Sequence, residues 1–363
     1  MSSYPFLQQR FLALLEESGS VCEATGWRPV HLDFASRGQQ VFMPLYAKDH
    51  SWGEYVFDWA WADAYRRLGL EYYPKLLTAI PFTPVTGPRI RGKSTPDKSL
   101  AAEVVQRVLT MAEDEGYPSW HLLFPDQPTL ETLLEVPRLI HRTGVQYHWH
   151  NREYDNFAHF LGSLKSRKRK MIRRERQSVR QGGFEVQMLT GKQLDPAIWS
   201  FFYRLYVRTY VKRSGSAGYL TEAFFRGLGN VMPDQVAMAL AFRGREPVAA
   251  ALYFFDQDTL YGRYWGCAGE YEHLHFELCY YQGIQFAIER GLKRFDAGAQ
   301  GEHKILRGFE PVLTHSLHWI REPRLARAIG DFVEREHRHN LLHISQAESL
   351  LPYSETYREK RGD

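Results

Sequence analysis

Apolar positions three and four residues apart open the chain: Phe6, Leu7, Phe11, Leu14 and Leu15 mark a helix that Gly19 closes. Alternation then predicts strands at 29–34 and 40–46, with a turn at Arg37-Gly38. In 51–68 the pattern loses its period. Trp52, Tyr55, Phe57, Trp59, Trp61 and Tyr65 crowd around Glu54, Asp58 and Asp63, which reads as core and cleft wall. Pro81, Pro84, Gly87 and Pro88 give an extended, rigid loop. Helices at 98–115 and 130–136 then alternate with strands at 120–124 and 145–150. A long helix is predicted from Phe157 to Gly182-Gly183, a strand over 184–189, helices over 196–212 and 221–231, and strands over 235–242, 247–255 and 260–265. Phe276, Tyr280, Ile284, Ala287 and Ile288 form the stripe of a helix over 276–290 that Gly291 stops. A short strand at 294–297, a last strand at 314–320 and a helix at 325–344 complete the pattern. FMPLYAKDHSWGEYVFDWAW and VAAALYFFDQDTLYGRYWG each pair an apolar strand containing Leu-Tyr with a second aromatic strand. The repeated order predicts two similar α+β domains, 1–155 and 156–363, the second carrying the helix 157–182 and the C-terminal helix.

Composition narrows the class. With 363 residues, 44% hydrophobic and 24% charged, the chain is long enough for two cores and ordinary for a globular protein. A net charge of +4 leaves any anion-binding role to a local patch. The longest strongly apolar run, 248–255, is far shorter than the roughly 20 residues of a membrane-spanning helix. Residues 4–17 carry Arg10, Glu16 and Glu17 within an amphipathic pattern rather than a signal peptide, so a cytoplasmic protein is expected. Cys22, Cys267 and Cys279 are scattered and show no metal-ligand spacing, and no metal is expected.

Chemistry concentrates in 260–309. The predicted strand at 294–297 delivers Gly-Ala-Gln-Gly-Glu-His-Lys, and a glycine-flanked cluster of Glu302, His303 and Lys304 beyond a strand end is where an α/β protein presents reactive groups. The segment 165–176 holds eight Lys or Arg against Glu175 alone. Lys165, Arg167, Lys168, Arg169, Lys170, Arg173 and Arg174 suit a phosphate backbone or an anionic headgroup, whereas a plain solvated helix face is the simpler role. His148 and His150 alternate on one strand face, with packing or substrate contact expected, and Glu277 suits the first turn of its helix.

Several long strings resemble a known family. PLYAKDHSWGEYVFDWAWADAY (44–65), YYPKLLTAIPFTPVTGPR (72–89), RTGVQYHWHN (142–151), SRKRKMIRRER (166–176), LYGRYWG (260–266), HFELCYYQGIQFAIERG (275–291) and AGAQGEHKILRGFEP (297–311) are similar to the FemAB-like peptidoglycan biosynthesis or recognition proteins. These are relatives of the Fem aminoacyltransferases within the GNAT-fold acyltransferases. The resemblance implies α+β tandem GNAT-like domains with mixed central sheets flanked by helices. It implies transfer of an aminoacyl or acyl group to an amine, such as that of a peptide or cell-wall precursor, with aminoacyl-tRNA or acyl-CoA as co-substrate and no tightly bound cofactor. The family's basic residue near a Phe-Gly segment corresponds here to Lys304 or Arg307.

Amine attack on an activated ester needs a base, an oxyanion partner and a cleft. Glu302 or His303 is expected to take the proton, and Lys304 or Arg307 to hold the developing negative charge. Arg263, Tyr264, His275, Glu277, Tyr281, Trp59 and His148 are the expected substrate contacts. Two rivals stand beside this reading. Arg263-Tyr-Trp-Gly266-Cys-Ala268 spells a pyrophosphate-binding pattern, as an acetyl-CoA-dependent acetyltransferase requires, although 269–274 separates it from the next helix. A non-catalytic binder of cell-wall precursor or RNA would keep the fold without needing Glu, His and Lys together at a strand exit.

Overall fold

The computed structural model describes residues 4–93, 95–299, 301–355 and 357. In chain order its helices are α1 (Gln9–Glu17), α2 (Trp59–Arg67), α3 (Lys98–Asp114), α4 (Gln127–Leu134), α5 (Phe157–Ser163), α6 (Ser166–Gln181), α7 (Pro196–Ser214), α8 (Glu222–Val231), α9 (Leu274–Phe276), α10 (Gln282–Glu289) and α11 (Pro323–Ser349). Its strands are β1 (Trp27–Pro29), β2 (Leu32–Ser36), β3 (Gln39–Met43), β4 (Tyr46–Lys48), β5 (Lys75–Thr78), β6 (Ser119–Leu123), β7 (Ile140–His150), β8 (Phe184–Thr190), β9 (Val236–Arg243), β10 (Glu246–Phe255), β11 (Thr259–Cys267), β12 (Arg294–Asp296) and β13 (Glu310–Ile320). The class is α+β, as the pattern predicts, with mixed sheets flanked by helices, as the resemblance implies.

The chain forms two compact units, one from Met1–Val145 and Leu313–His343, the other from Gln146–Val312 and Ile344–Asp363. The sequence places the whole of 156–363 in the second domain. Residues 313–343 instead belong with the first, for two reasons. Ser316–Ile320 of β13 pair antiparallel with β6. Leu325, Ile329 and Val333 of α11 bury against Trp61 and Tyr65 of α2.

In the first unit β4, β5 and β6 run in sequence, with β4 antiparallel and β6 parallel to β5. Val104, Val105 and Val108 of α3 pack onto Trp120 of β6 and Trp319 of β13. In the second unit the order is β7-β12-β11-β10-β9-β8, antiparallel throughout except for the parallel pair β11–β12.

Two further differences have local causes. The predicted helix from Phe157 to Gly182 breaks into α5 and α6, because Leu164 is extended and pairs with Tyr353 while the Lys165 N–H donates to the Pro352 carbonyl. The helix predicted over 276–290 carries a π turn, Glu277–Tyr281, between α9 and α10. Among the described residues no helix is long and apolar enough to cross a membrane.

Candidate active site

The second unit gathers the Glu-His-Lys cluster. β12 ends at Asp296, and Gly298 and Gly301 follow with φ of 90° and 113°, a region L side chains rarely adopt. A Cβ on Gly301 would also lie 2.5 Å from the His303 ring, so glycine is required there. The chain then winds into a 3-10 turn, Glu302–Arg307, where the sequence suggests only a loop.

That turn sorts its polar side chains by direction. Glu302 and His303 face outward, whereas Lys304 and Arg307 are buried. Lys304 Nζ donates to the Gly298 carbonyl at 2.5 Å, and the Gly298 N–H donates to Asp296 Oδ1 at 2.9 Å. Asp296 Oδ2 is buried without a hydrogen-bond partner and lies 3.6 Å from His148 Nε2. Burial, aided by the Arg263 guanidinium, holds the Lys304 ammonium down to about 8, with Asp296 opposing the shift. Burial lowers His303 below the usual imidazole range, and the cations of Arg307 and Lys304 add to this. His303 Nε2 is 2.7 Å from the Tyr280 hydroxyl. His275, its ring centroid 6.2 Å from that of His303, is lowered to about 4, chiefly by burial. His148 is lowered to about 4 by burial as well, against the pull of Asp296. A neutral imidazole accepts a proton, and a lysine held near 8 is still a cation at neutral pH.

Arg307 occupies a different position from Lys304. Its Nη2 donates to both Glu175 oxygens at 2.8 and 2.9 Å, its Nε to the Tyr281 hydroxyl at 2.9 Å, and its Nη1 to the His303 carbonyl at 2.9 Å. Tyr281 in turn donates to Glu175. With its charge matched and every nitrogen engaged, Arg307 braces the turn, and Tyr281 is a buried member of that brace rather than a cleft wall. Glu277 likewise is engaged, by Arg176 at 2.9 Å and Gln282 at 2.8 Å. Of the two candidate cations, Lys304 alone retains an open role.

Strand geometry separates other expected neighbours. On β11 successive side chains alternate faces. Arg263 acts electrostatically on Lys304, whereas Tyr264 packs edge-on against Tyr206 of α7 and Phe225 of α8. Trp59 lies in the first unit, exposed at the start of α2. The pyrophosphate pattern fails as a cradle: Gly262 and Tyr264–Cys267 are in register with β10, and the Ala268 N–H donates to the Val248 carbonyl. Amides used by a sheet cannot receive a phosphate.

Residue spacing alone does not reveal Asp296 or Glu175, which face Lys304 and Arg307 from other elements. The signal for Asp296 is its place at a strand end two residues before a glycine. Glu175, the single acid among eight cations, is the corresponding signal on α6. Cys279, in the π turn, is kept protonated by burial, which removes it as a nucleophile. Among the described residues no group of three or more His, Cys, Asp or Glu could hold a metal ion.

The basic segment is α6. Lys165, Arg167, Lys170, Arg173 and Arg174 are exposed, Lys168 and Arg169 half-buried, while Ile172, Glu175 and Val179 face inward. Among the described residues none of those seven cations takes part in an ion pair, whereas the eighth, Arg176, binds Glu277.

No curated protein matches this sequence. Among solved structures the chain is similar to FemX, at 12% identity and TM-score 0.54, covering 89% of this chain and 93% of that one. It is similar to L-PGS from Bacillus licheniformis at 11% identity and TM-score 0.52, covering 90% and 96%. The C-terminal domain of a putative lysylphosphatidylglycerol synthetase from Agrobacterium fabrum matches at 9% identity and TM-score 0.52, covering 88% and 94%. These likenesses establish a shared fold. The sequence itself matches the FemAB-like family model, described as peptidoglycan biosynthesis/recognition, over residues 1–355. The chain belongs to the FemAB-like family.

Proposed function

We propose that this protein is an N-acyltransferase that moves an aminoacyl group from aminoacyl-tRNA to the amine of a peptide or cell-wall precursor. The observation that carries this reading is the buried Lys304, held at a strand exit by the Gly298 carbonyl and opposed by Asp296. A desolvated ammonium beside an orphaned carboxylate oxygen of Asp296 at a strand exit is a combination that a reaction site uses.

In the proposed reaction the acceptor nitrogen attacks the ester carbonyl. The carbonyl oxygen becomes an oxyanion and replaces the Gly298 carbonyl as the acceptor of the Lys304 N–H. The carbon–oxygen ester bond then breaks, an amide forms, and the tRNA ribose oxygen leaves with the second proton shed by the attacking nitrogen. His303, neutral at pH 7, or the exposed Glu302 takes the proton that the ammonium acceptor must shed. The unpaired Asp296 oxygen offers that ammonium an anchor. No electron transfer is involved.

A pH dependence follows. Activity that needs a charged Lys304 should fall as pH rises through about 8, where the lysine loses its proton. Stability moves the other way. The folded pKa lies below the unfolded value of 10.5, so the unfolded chain binds more protons between the two values, and this group's contribution to stability rises with pH there. Turnover and melting profiles measured together check the opposed slopes, and a Lys304→Arg variant should lose the high-pH limb.

The α6 face supports the nucleic-acid donor. Transfer-RNA affinity should fall steeply with salt, at a log–log slope of roughly −0.7 per phosphate contact for single strands. Replacing Lys170, Arg173 and Arg174 with Gln should flatten that slope by about two units, read by filter binding across a salt series. An unchanged slope would leave α6 a solvated face.

A further inference from the structure

The first unit carries a loop whose polarity is reversed. Between β4 and α2, Glu54 and Asp58 are buried, whereas Trp52, Phe57 and Trp59 are 58%, 58% and 41% exposed. A water-facing loop does the opposite, turning its acids out and its rings in. The cause is Lys75 on β5, which is wholly buried and draws both acids inward, with Glu54 Oε2 at 2.8 Å and Asp58 Oδ2 also accepting. The Ser51 hydroxyl accepts from the same ammonium at 2.8 Å, and the Tyr72 hydroxyl donates to Asp58 at 2.6 Å. The backbone is fixed to match. Tyr55 has φ of 62°, and Gly53, at φ of 83°, approaches Phe82 so closely that a Cβ would lie 2.6 Å from its ring. Two buried ion pairs therefore hold three large aromatic side chains out in solvent.

Leu68 and Leu70 are exposed past the helix end, and exposed Phe332 of α11 flanks the Arg142 guanidinium that donates to the Phe57 carbonyl. The Trp52 and Trp59 rings lie 5.0 Å apart, and among the described residues neither indole N–H has a partner. Arg66 and Arg67 stand beside Asp63, which pairs with both, and Glu71 and Asp49 are exposed nearby, so the surroundings hold no excess of positive charge. Two features argue against a glycan. The acids that would bind sugar hydroxyls are turned inward to Lys75, and the leucines offer hydroxyls nothing. Protruding indoles with free N–H groups and no surrounding excess of positive charge match the carbonyl and glycerol layer of a bilayer, where the rings rather than cations do the binding.

We propose that the 51–59 loop of the first unit docks on the interfacial layer of a phospholipid bilayer, inserting Trp52, Phe57 and Trp59. Docking is driven by the rings rather than by charge, and it does not depend on which group the second unit transfers.

The test is sedimentation of the full chain with phosphatidylcholine vesicles at low and high salt, and quenching of its tryptophans by doxyl-labelled lipid. The wild type should sediment with these uncharged vesicles at both salt concentrations. A Trp52→Ser, Phe57→Ser, Trp59→Ser variant should bind roughly tenfold more weakly or less. Its melting temperature should be unchanged, because the replaced rings are exposed. Doxyl quenching should weaken in Trp52→Phe, Trp59→Phe, which keeps the aromatic bulk. Three results overturn the proposal: no sedimentation of the wild type, equal sedimentation of the triple variant, or binding confined to anionic vesicles and lost with salt, which assigns membrane contact to α6. Self-association that the triple variant abolishes, without vesicle binding, overturns it in favour of an interface between copies.

Discussion

Replacing Lys304 with Met is expected to lower turnover by roughly 10²-fold or more, the usual cost of removing one oxyanion partner. The substitution keeps much of the side chain's volume and removes only its charge and its bond to the Gly298 carbonyl. A lysine in a polar, glycine-flanked run would ordinarily face solvent and carry little weight in the core. The structure buries it, so the reason for an intact fold is different. An ammonium whose pKa is pulled down to about 8 is destabilised in the folded state, and an apolar side chain of similar size relieves that burden. Melting temperature should therefore hold or rise while turnover collapses. A parallel fall in both would mean that Lys304 serves the fold instead.

Arg307→Met should show the contrary pattern. Its guanidinium is enclosed by Glu175, Tyr281, the His303 carbonyl and the Phe276 ring, whose centroid is 3.6 Å from Cζ. Removing one member of a buried ion pair strands the other, at a cost of about 3–5 kcal/mol. For a unit of this size that corresponds to a melting temperature lower by roughly 10 °C. Turnover should fall too, because the displaced turn carries His303 and Lys304. Glu175→Gln, made on a different element, should reproduce the loss of stability. Calorimetry and turnover measured on the three variants separate a residue that acts at the reacting carbonyl from residues that position it.

Much of this fold is legible in the chain because local signals agree with the global one. Strand alternation and glycine stops place α3, α7, β9, β10, β11 and β12 within a few residues of the observed bounds. The misplacements arise where distant chain decides. Leu164 reads as helix until residues 352–353 take up its neighbourhood, and 313–343 read as part of the second domain until β13 pairs with β6. The candidate site divides similarly. Glu302, His303 and Lys304 are adjacent in the sequence, but the turn faces Glu302 and His303 outward and buries Lys304. Whether Lys304 or Arg307 carries the free charge rests on Asp296 and Glu175, which lie 8 and 132 residues away and are invisible to spacing. The reversed 51–59 loop reads as core and cleft wall because its aromatics and acids are intermixed. Only Lys75, fixed on β5, shows which set turns inward.

The central claim is tested most directly by transfer of a labelled aminoacyl group from charged tRNA to an amine-bearing cell-wall precursor peptide. The wild type should be compared with Lys304→Met at neutral pH. Amide-linked label is expected on the peptide with wild type, and a rate lower by roughly 10²-fold or more with the variant, both proteins being equally folded. Equal rates for the two proteins, or no transfer by the wild type from any charged tRNA, would contradict it.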